Sequence, residues 1–96
     1  MVRKTGNMKV EYDPEFIRRL KKLNVRIRKS FRERIAIFQK DPFSQELDNH
    51  DLHDKWEGYR SIDITSDWRV IYEEIKVGDE RIAYFIAIGI HKELYG

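Results

Sequence analysis

YRSIDITSDWRVIYEEIKVGDERIAYFIAIGI, residues 59–90, is the stretch that decides the fold. Ile62 and Ile64 point to one side of an extended chain and Tyr59, Ser61 and Asp63 to the other. That two-residue period marks a half-buried strand over 59–65. Ser66-Asp67 makes a tight turn, and WRVIYEEI (68–75) and RIAYFIAIGI (81–90) follow as two further strands. Gly78-Asp79 between them is a hairpin signal, because glycine takes the positive φ that such turns need. The last strand is almost continuously apolar, which predicts a place inside the sheet with both faces covered.

Toward the N-terminus, MKVEY alternates from Met8 to Tyr12 as a short first strand does. Asp13 offers an N-cap and Pro14 suits the first helical position, after which Phe16, Ile17, Leu20 and Leu23 recur at three- and four-residue steps. These residues predict a helix over 14–23. Asn24 can cap a second helix in which Ile27, Phe31, Ile35 and Phe38 share one face. Asp41-Pro42 ends it, since proline disfavours helical geometry in the residue before it. From Leu47 to Lys55 the pattern is acidic and irregular and reads as a loop, with strands resuming near Trp56–Gly58. HKELYG (91–96) closes the chain as a single turn that brings His91 and Tyr95 to one side. The predicted order is β-α-α-β-β-β, an α+β domain with two N-terminal helices packed on an antiparallel sheet.

Ninety-six residues without an internal repeat suit one domain, expected over 8–96 after a flexible basic leader at 1–7; Met1 and Met8 both remain candidates for the true start. The chain has no cysteine, which excludes disulfides and thiolate zinc sites and agrees with a reducing compartment. No apolar run reaches the roughly 18 residues of a membrane span, and the N-terminus lacks the apolar core of a signal peptide. A soluble cytoplasmic protein without a membrane partner is the expectation.

The net charge of +2 hides an asymmetry: residues 1–40 hold 13 Lys or Arg against 4 Asp or Glu, and residues 41–96 hold 6 against 13. Arg18, Arg19, Lys21, Lys22, Arg26, Arg28, Lys29, Arg32 and Arg34 form a candidate phosphate-facing footprint, because Lys and Arg displace counterions from nucleic acid. A solvated helical face balanced by the acidic half explains the same residues equally well. The acidic half carries all three histidines, His50, His53 and His91, among strand-forming runs that need none of them to build a core. Taken singly, each is open to a plainer reading: His50 and His53 as surface residues, Asp67 as a turn-former, Trp56 and Trp68 as core or rim anchors.

In order and spacing, His50-x-Leu52, Trp56-x-Gly58-x-Arg60, Ile64-x-x-Asp67-Trp68, Ile71-Tyr72 and Gly89-x-His91-x-x-Leu94-Tyr95 resemble the RelE/ParE toxin superfamily, closest to its YafQ branch. The likeness spans nearly the whole chain, but its specificity lies in residues 50–95. It implies the toxin of a type II toxin–antitoxin system: a ribosome-dependent mRNA endonuclease that needs no metal or other cofactor, with a cognate antitoxin, the ribosome and mRNA as partners. The antitoxin is expected to order a disordered C-terminal segment across the basic helices or a sheet edge.

Through the resemblance, His50 and His91 become acid–base candidates, Asp67 a carboxylate that orients a histidine or acts as base, and Tyr95 the aromatic beside the scissile nucleotide. Arg60 is the candidate for phosphate charge stabilisation, with Lys55 and Arg69 behind it and Arg28 and Arg32 in the wider RNA footprint. Two departures stand out. Tyr95 stands where the YafQ pattern more often has Phe. Asp63 stands where that pattern reads HIxPDW, replacing a histidine with a group that cannot supply the same near-neutral acid. Asp63 can instead favour a charged imidazole nearby, and His53 offers a partial substitute. A ParE-like gyrase inhibitor and a catalytically decayed toxin that only binds its antitoxin stay open.

Overall fold

The computed structural model describes residues 8–95, so the expected leader at 1–7 lies outside the described residues. Strand β1 (Lys9–Tyr12) leads into helices α1 (Pro14–Lys22) and α2 (Val25–Lys40), then β2 (His50–Asp51), β3 (Arg60–Asp63), β4 (Trp68–Val77), β5 (Glu80–Ile90) and a closing helix α3 (His91–Tyr95). The strands form one sheet in the order β1-β5-β4-β3-β2. β2 to β5 pair antiparallel, whereas β1 joins β5 in parallel after the helical hairpin carries the chain across the sheet.

Both helix starts follow local chemistry. Asp13 Oδ2 accepts from Glu15 N at 2.9 Å and Asn24 Oδ1 from Ile27 N at 3.1 Å, satisfying amides that have no partner inside the helix. Phe31, Ile35 and Phe38 of α2 meet Phe16 of α1, the strand residues Ile62, Val70, Tyr72, Ala83 and Phe85, and Ile64 just past β3 in the main core. Rings interlock there: Phe38 meets Tyr72 edge-on at 5.0 Å and Phe85 at 5.5 Å.

The opposite face carries a second, smaller cluster of Leu52, Ile71 and Leu94, with Trp56, Tyr59, Ile86, Ala87 and Tyr95 against it. β5 is thus covered on both sides, as its apolar run predicts. A bulge shifts the alternation along β5: Ile71 pairs with Ala87 but Tyr72 with Phe85, leaving Ile86 as an extra residue. Ala83 and Phe85 face the helices before it and Ile88 faces them after it, so Gly89 falls on the opposite face. There α3 folds back: a Cβ on Gly89 would lie 3.3 Å from Leu94 and 2.8 Å from Glu93 Oε1.

The segment read as loop and renewed strand is built differently. A 3-10 turn at Gln45–Leu47 precedes β2, and Asp54–Trp56 is a second 3-10 turn where a strand near Trp56–Gly58 was expected. Extension fails because Asp54 (φ 57°) and Gly58 (φ 92°) are left-handed. Asp48, at φ 49°, opens the same segment, so two non-glycine residues in a costly conformation bracket His50 and His53.

Candidate active site

Register decides which side chains share a face, because directly paired residues project the same way from a sheet. His50 pairs with Ser61 and Ser61 with Ile71; Asp63 pairs with Arg69 and Arg69 with Gly89. Two rows result on the face opposite α1 and α2, one of His50, Ser61 and Ile71, the other of Asp63 and Arg69. Tyr95 folds over the first row, its hydroxyl donating to Ser61 Oγ at 3.1 Å. Ser61 is fully buried. The rings of His91 and Tyr95 meet edge-on at 4.6 Å, so the closing turn does bring them together.

At the end of this face lies a depression of about 380 Å³, lined by Ser66, Asp67, Trp68, Arg69, Ile90, His91 and Lys92. Asp67 and His91, distant in sequence, line it together because β4 begins where β5 ends: Trp68 pairs with Ile90. The turn that presents Asp67 is pinned by the Thr65 hydroxyl, which accepts from Asp67 N at 3.2 Å and Trp68 N at 3.1 Å. Arg69 is held in the wall by the Ser66 carbonyl at 3.4 Å and by Asp63, whose Oδ1 lies 3.2 Å from Arg69 Nε.

The Asp63–Arg69 contact has ion-pair distance without hydrogen-bond alignment, and Asp63 Oδ1 is buried with no hydrogen-bond partner among the described residues. Burial therefore pushes the Asp63 carboxyl above its ordinary value; Arg69 offsets this, Asp48 adds to it, and His50 and Arg34 oppose it. His50 is exposed on the short β2 strand, Nδ1 2.8 Å from the Asp48 carbonyl oxygen. A carbonyl only accepts, so the proton belongs on Nδ1 and the lone pair of the neutral ring on Nε2. His50 shares the face but is not among the residues lining the depression.

Arg60 departs from the expected site. It pairs with Tyr72 and projects with Ile62, toward the helical side, where Nε donates to Asn49 Oδ1 at 2.7 Å and the guanidinium lies 5.1 Å from the Phe43 ring centroid. It also pairs with Asp51. The alternation that put Ser61 and Asp63 on one side already put Arg60 on the other. The cations at the depression are Arg69 and Lys92, of which Lys92 went unnoticed in sequence although it adjoins His91. Lys55 and His53 are exposed around the second 3-10 turn, and neither lines the depression. Arg28 and Arg32 ride on α2, on the other layer; Arg32 is exposed, and Arg28 is half-buried with no hydrogen-bond partner for its Nε among the described residues.

Such a depression offers an imidazole and a carboxylate for proton transfer, two cations for an anionic group, and an aromatic ring alongside. The architecture matches a YoeB/ParE toxin from Agrobacterium tumefaciens with a TM-score of 0.70 at 21% identity, covering 88% of this chain and 99% of that one. It matches a chain of the E. coli DinJ-YafQ toxin-antitoxin complex at 0.68 and 22% identity, covering 94% and 99%. A chain of the archaeal RelE-RelB complex from Pyrococcus horikoshii OT3 aligns at 0.68 and 17% identity, covering 88% and 94%. These likenesses define the class as a RelE-like toxin fold. The chain belongs to the YafQ family, bacterial toxins of type II toxin-antitoxin systems, whose sequence model matches residues 8–96. Comparison with curated proteins finds no match. Among the described residues, no helix is long and apolar enough to cross a membrane.

Proposed function

We propose that this toxin is a ribosome-dependent endoribonuclease that cleaves mRNA without a metal ion. In the reaction a base removes the 2′-hydroxyl proton, the 2′-oxygen attacks the adjacent phosphorus, and the bond from phosphorus to the 5′-oxygen breaks as an acid protonates that oxygen. The products are a 2′,3′-cyclic phosphate and a 5′-hydroxyl. The observation that carries this reading is the lining of one depression by His91, Asp67, Arg69 and Lys92. His91 supplies proton transfer, Asp67 orients it or shares the task, and Arg69 and Lys92 stabilise the phosphorane. Tyr95 stacks on the nucleotide beside the cut, and His50, on the same face, is the second proton carrier. Asp63, in place of a family histidine, tethers Arg69.

Arg28 and Arg32, on the opposite layer, serve docking on ribosomal RNA rather than chemistry, and Lys55 contacts the message beyond the cut. The partner in the resting cell is a cognate antitoxin, as the complexes formed by the DinJ-YafQ and RelE-RelB neighbours suggest. The test is primer extension on programmed ribosomes. The proposal expects cuts at defined codon positions that disappear in His91→Ala. Gyrase-linked DNA breaks in place of RNA cuts would support a ParE-like inhibitor, and antitoxin binding with neither activity a decayed toxin.

A further inference from the structure

The closing helix that carries His91 and Tyr95 is five residues long, too short to hold itself, because helix nucleation costs more than one turn of hydrogen bonds returns. Its pose must come from outside contacts. At its C-terminal end Trp56 Nε1 donates to the Leu94 carbonyl at 2.9 Å, and Leu94 packs into the smaller cluster. At its N-terminal end, beyond the pairing of Ile90 with Trp68, one side-chain atom joins two donors. Glu93 Oε1 accepts from the Ile90 amide at 3.0 Å, reaching back to the residue before the helix as in a capping box, and also from Arg19 on α1 at 2.8 Å. Arg19 lies in turn 5.9 Å from the Trp68 ring centroid. Ile90, His91 and Trp68 all line the depression, so this linkage ties its rim to a helix on the other side of the sheet.

We propose that Glu93, held by Arg19, is the positioning residue that sets the His91 imidazole against Asp67. The inference rests on the nuclease reading of the depression and adds a residue that does not face the substrate. Glu93 is half exposed and contributes nothing to either apolar cluster, so its removal should spare the fold. The Ile90 amide and the Arg19 guanidinium both donate to one carboxylate oxygen and lower its tendency to protonate. Gly89 belongs to the same device: a methyl group there meets Glu93 Oε1 at 2.8 Å and drives the side chain off its two donors.

The experiment compares Glu93→Ala, Glu93→Gln, Arg19→Ala and Arg19→Lys with the parent toxin on programmed ribosomes under single-turnover conditions, together with amide hydrogen exchange at Ile90. Glu93→Ala should slow cleavage by about 10- to 100-fold, as expected for a catalytic group set about 1 Å off. The ribosome concentration at half-maximal rate and the thermal midpoint should stay near those of the parent. Glu93→Gln, which keeps a carbonyl acceptor for Ile90, and Arg19→Lys, which keeps the charge, should recover most of the rate. Arg19→Ala added to Glu93→Ala should cost nothing further. Ile90 exchange should accelerate in Glu93→Ala. Unchanged single-turnover rates, or losses confined to ribosome affinity, overturn the proposal. If the parent toxin does not cut RNA at all, the nuclease reading has failed. Ile90 exchange and the ring-current shift of His91 beside Tyr95 then decide the positioning by themselves, unchanged values in Glu93→Ala refuting it.

Discussion

Replacing Tyr95 by Phe, the residue more usual in the YafQ pattern, removes one oxygen atom and nothing else. That oxygen is the donor to Ser61 Oγ at 3.1 Å, and Ser61 is buried without any exposed surface. Tyr95→Phe therefore strands a hydroxyl in the interior, which costs about 1–3 kcal/mol. With a urea dependence of about 1–3 kcal/mol per molar, the unfolding midpoint should fall by about 1 M with an unchanged slope. Ser61→Ala removes the buried hydroxyl and leaves the half-buried Tyr95 oxygen able to reach water, so it should cost less, about 0.5 kcal/mol. The double variant should then be about as stable as Ser61→Ala alone, since the stranded group is gone. Equilibrium urea unfolding of the four proteins completes the cycle. Additive losses, or a Tyr95→Phe midpoint equal to that of the parent, would refute the claim that this hydrogen bond seats the ring. The ring contact with His91 at 4.6 Å survives the change, so cleavage should persist.

Asp63 should show itself in pH dependence. Its carboxyl is raised by burial, so it favours the fold below its unfolded value near 3.8 and loses that contribution as pH climbs through the higher folded value. Relative to the parent, Asp63→Asn should gain stability across that interval; chemical unfolding between pH 3 and 7 should show the gap moving in the variant's favour, and the opposite slope rejects the burial argument. Arg60→Ala should cost about 1–2 kcal/mol through its lost links to Asn49, Asp51 and Phe43 while the single-turnover cleavage rate of folded protein stays unchanged. A large drop in that rate would restore Arg60 to the site. Phe38→Ala, at the centre of the ring cluster, should cost about 3–5 kcal/mol, read from the urea midpoint.

Much of this architecture was legible because its signals are local and strong. The Asp13-Pro14 and Asn24 starts, the stripe from Ile27 to Phe38, the Gly78-Asp79 turn and the apolar run of β5 all lie where their periodicity and capping chemistry put them. The parallel pairing of β1 was not legible, since a strand's own pattern does not reveal its neighbour's direction. Nor were β2 and the bulge at Ile86, which depend on partners distant in sequence. The candidate site divided the same way. His91 and Tyr95 could be placed together by helical spacing, whereas assigning Arg60 to the phosphate followed its position in a motif and overlooked strand parity, which sends it to the helical side. Glu93 and Ser61 carried no signal of their own: one matters through Arg19, some seventy residues earlier, and the other through Tyr95.

The most direct measurement is of the ends left on a cleaved message. Messenger cut on programmed ribosomes should carry a 2′,3′-cyclic phosphate upstream and a 5′-hydroxyl downstream, and a single 2′-deoxy substitution at the scissile nucleotide should abolish the cut. A 3′-hydroxyl with a 5′-phosphate, or undiminished cutting of the deoxy-substituted message, would contradict proton transfer to and from the 2′- and 5′-oxygens by His91 and its neighbours.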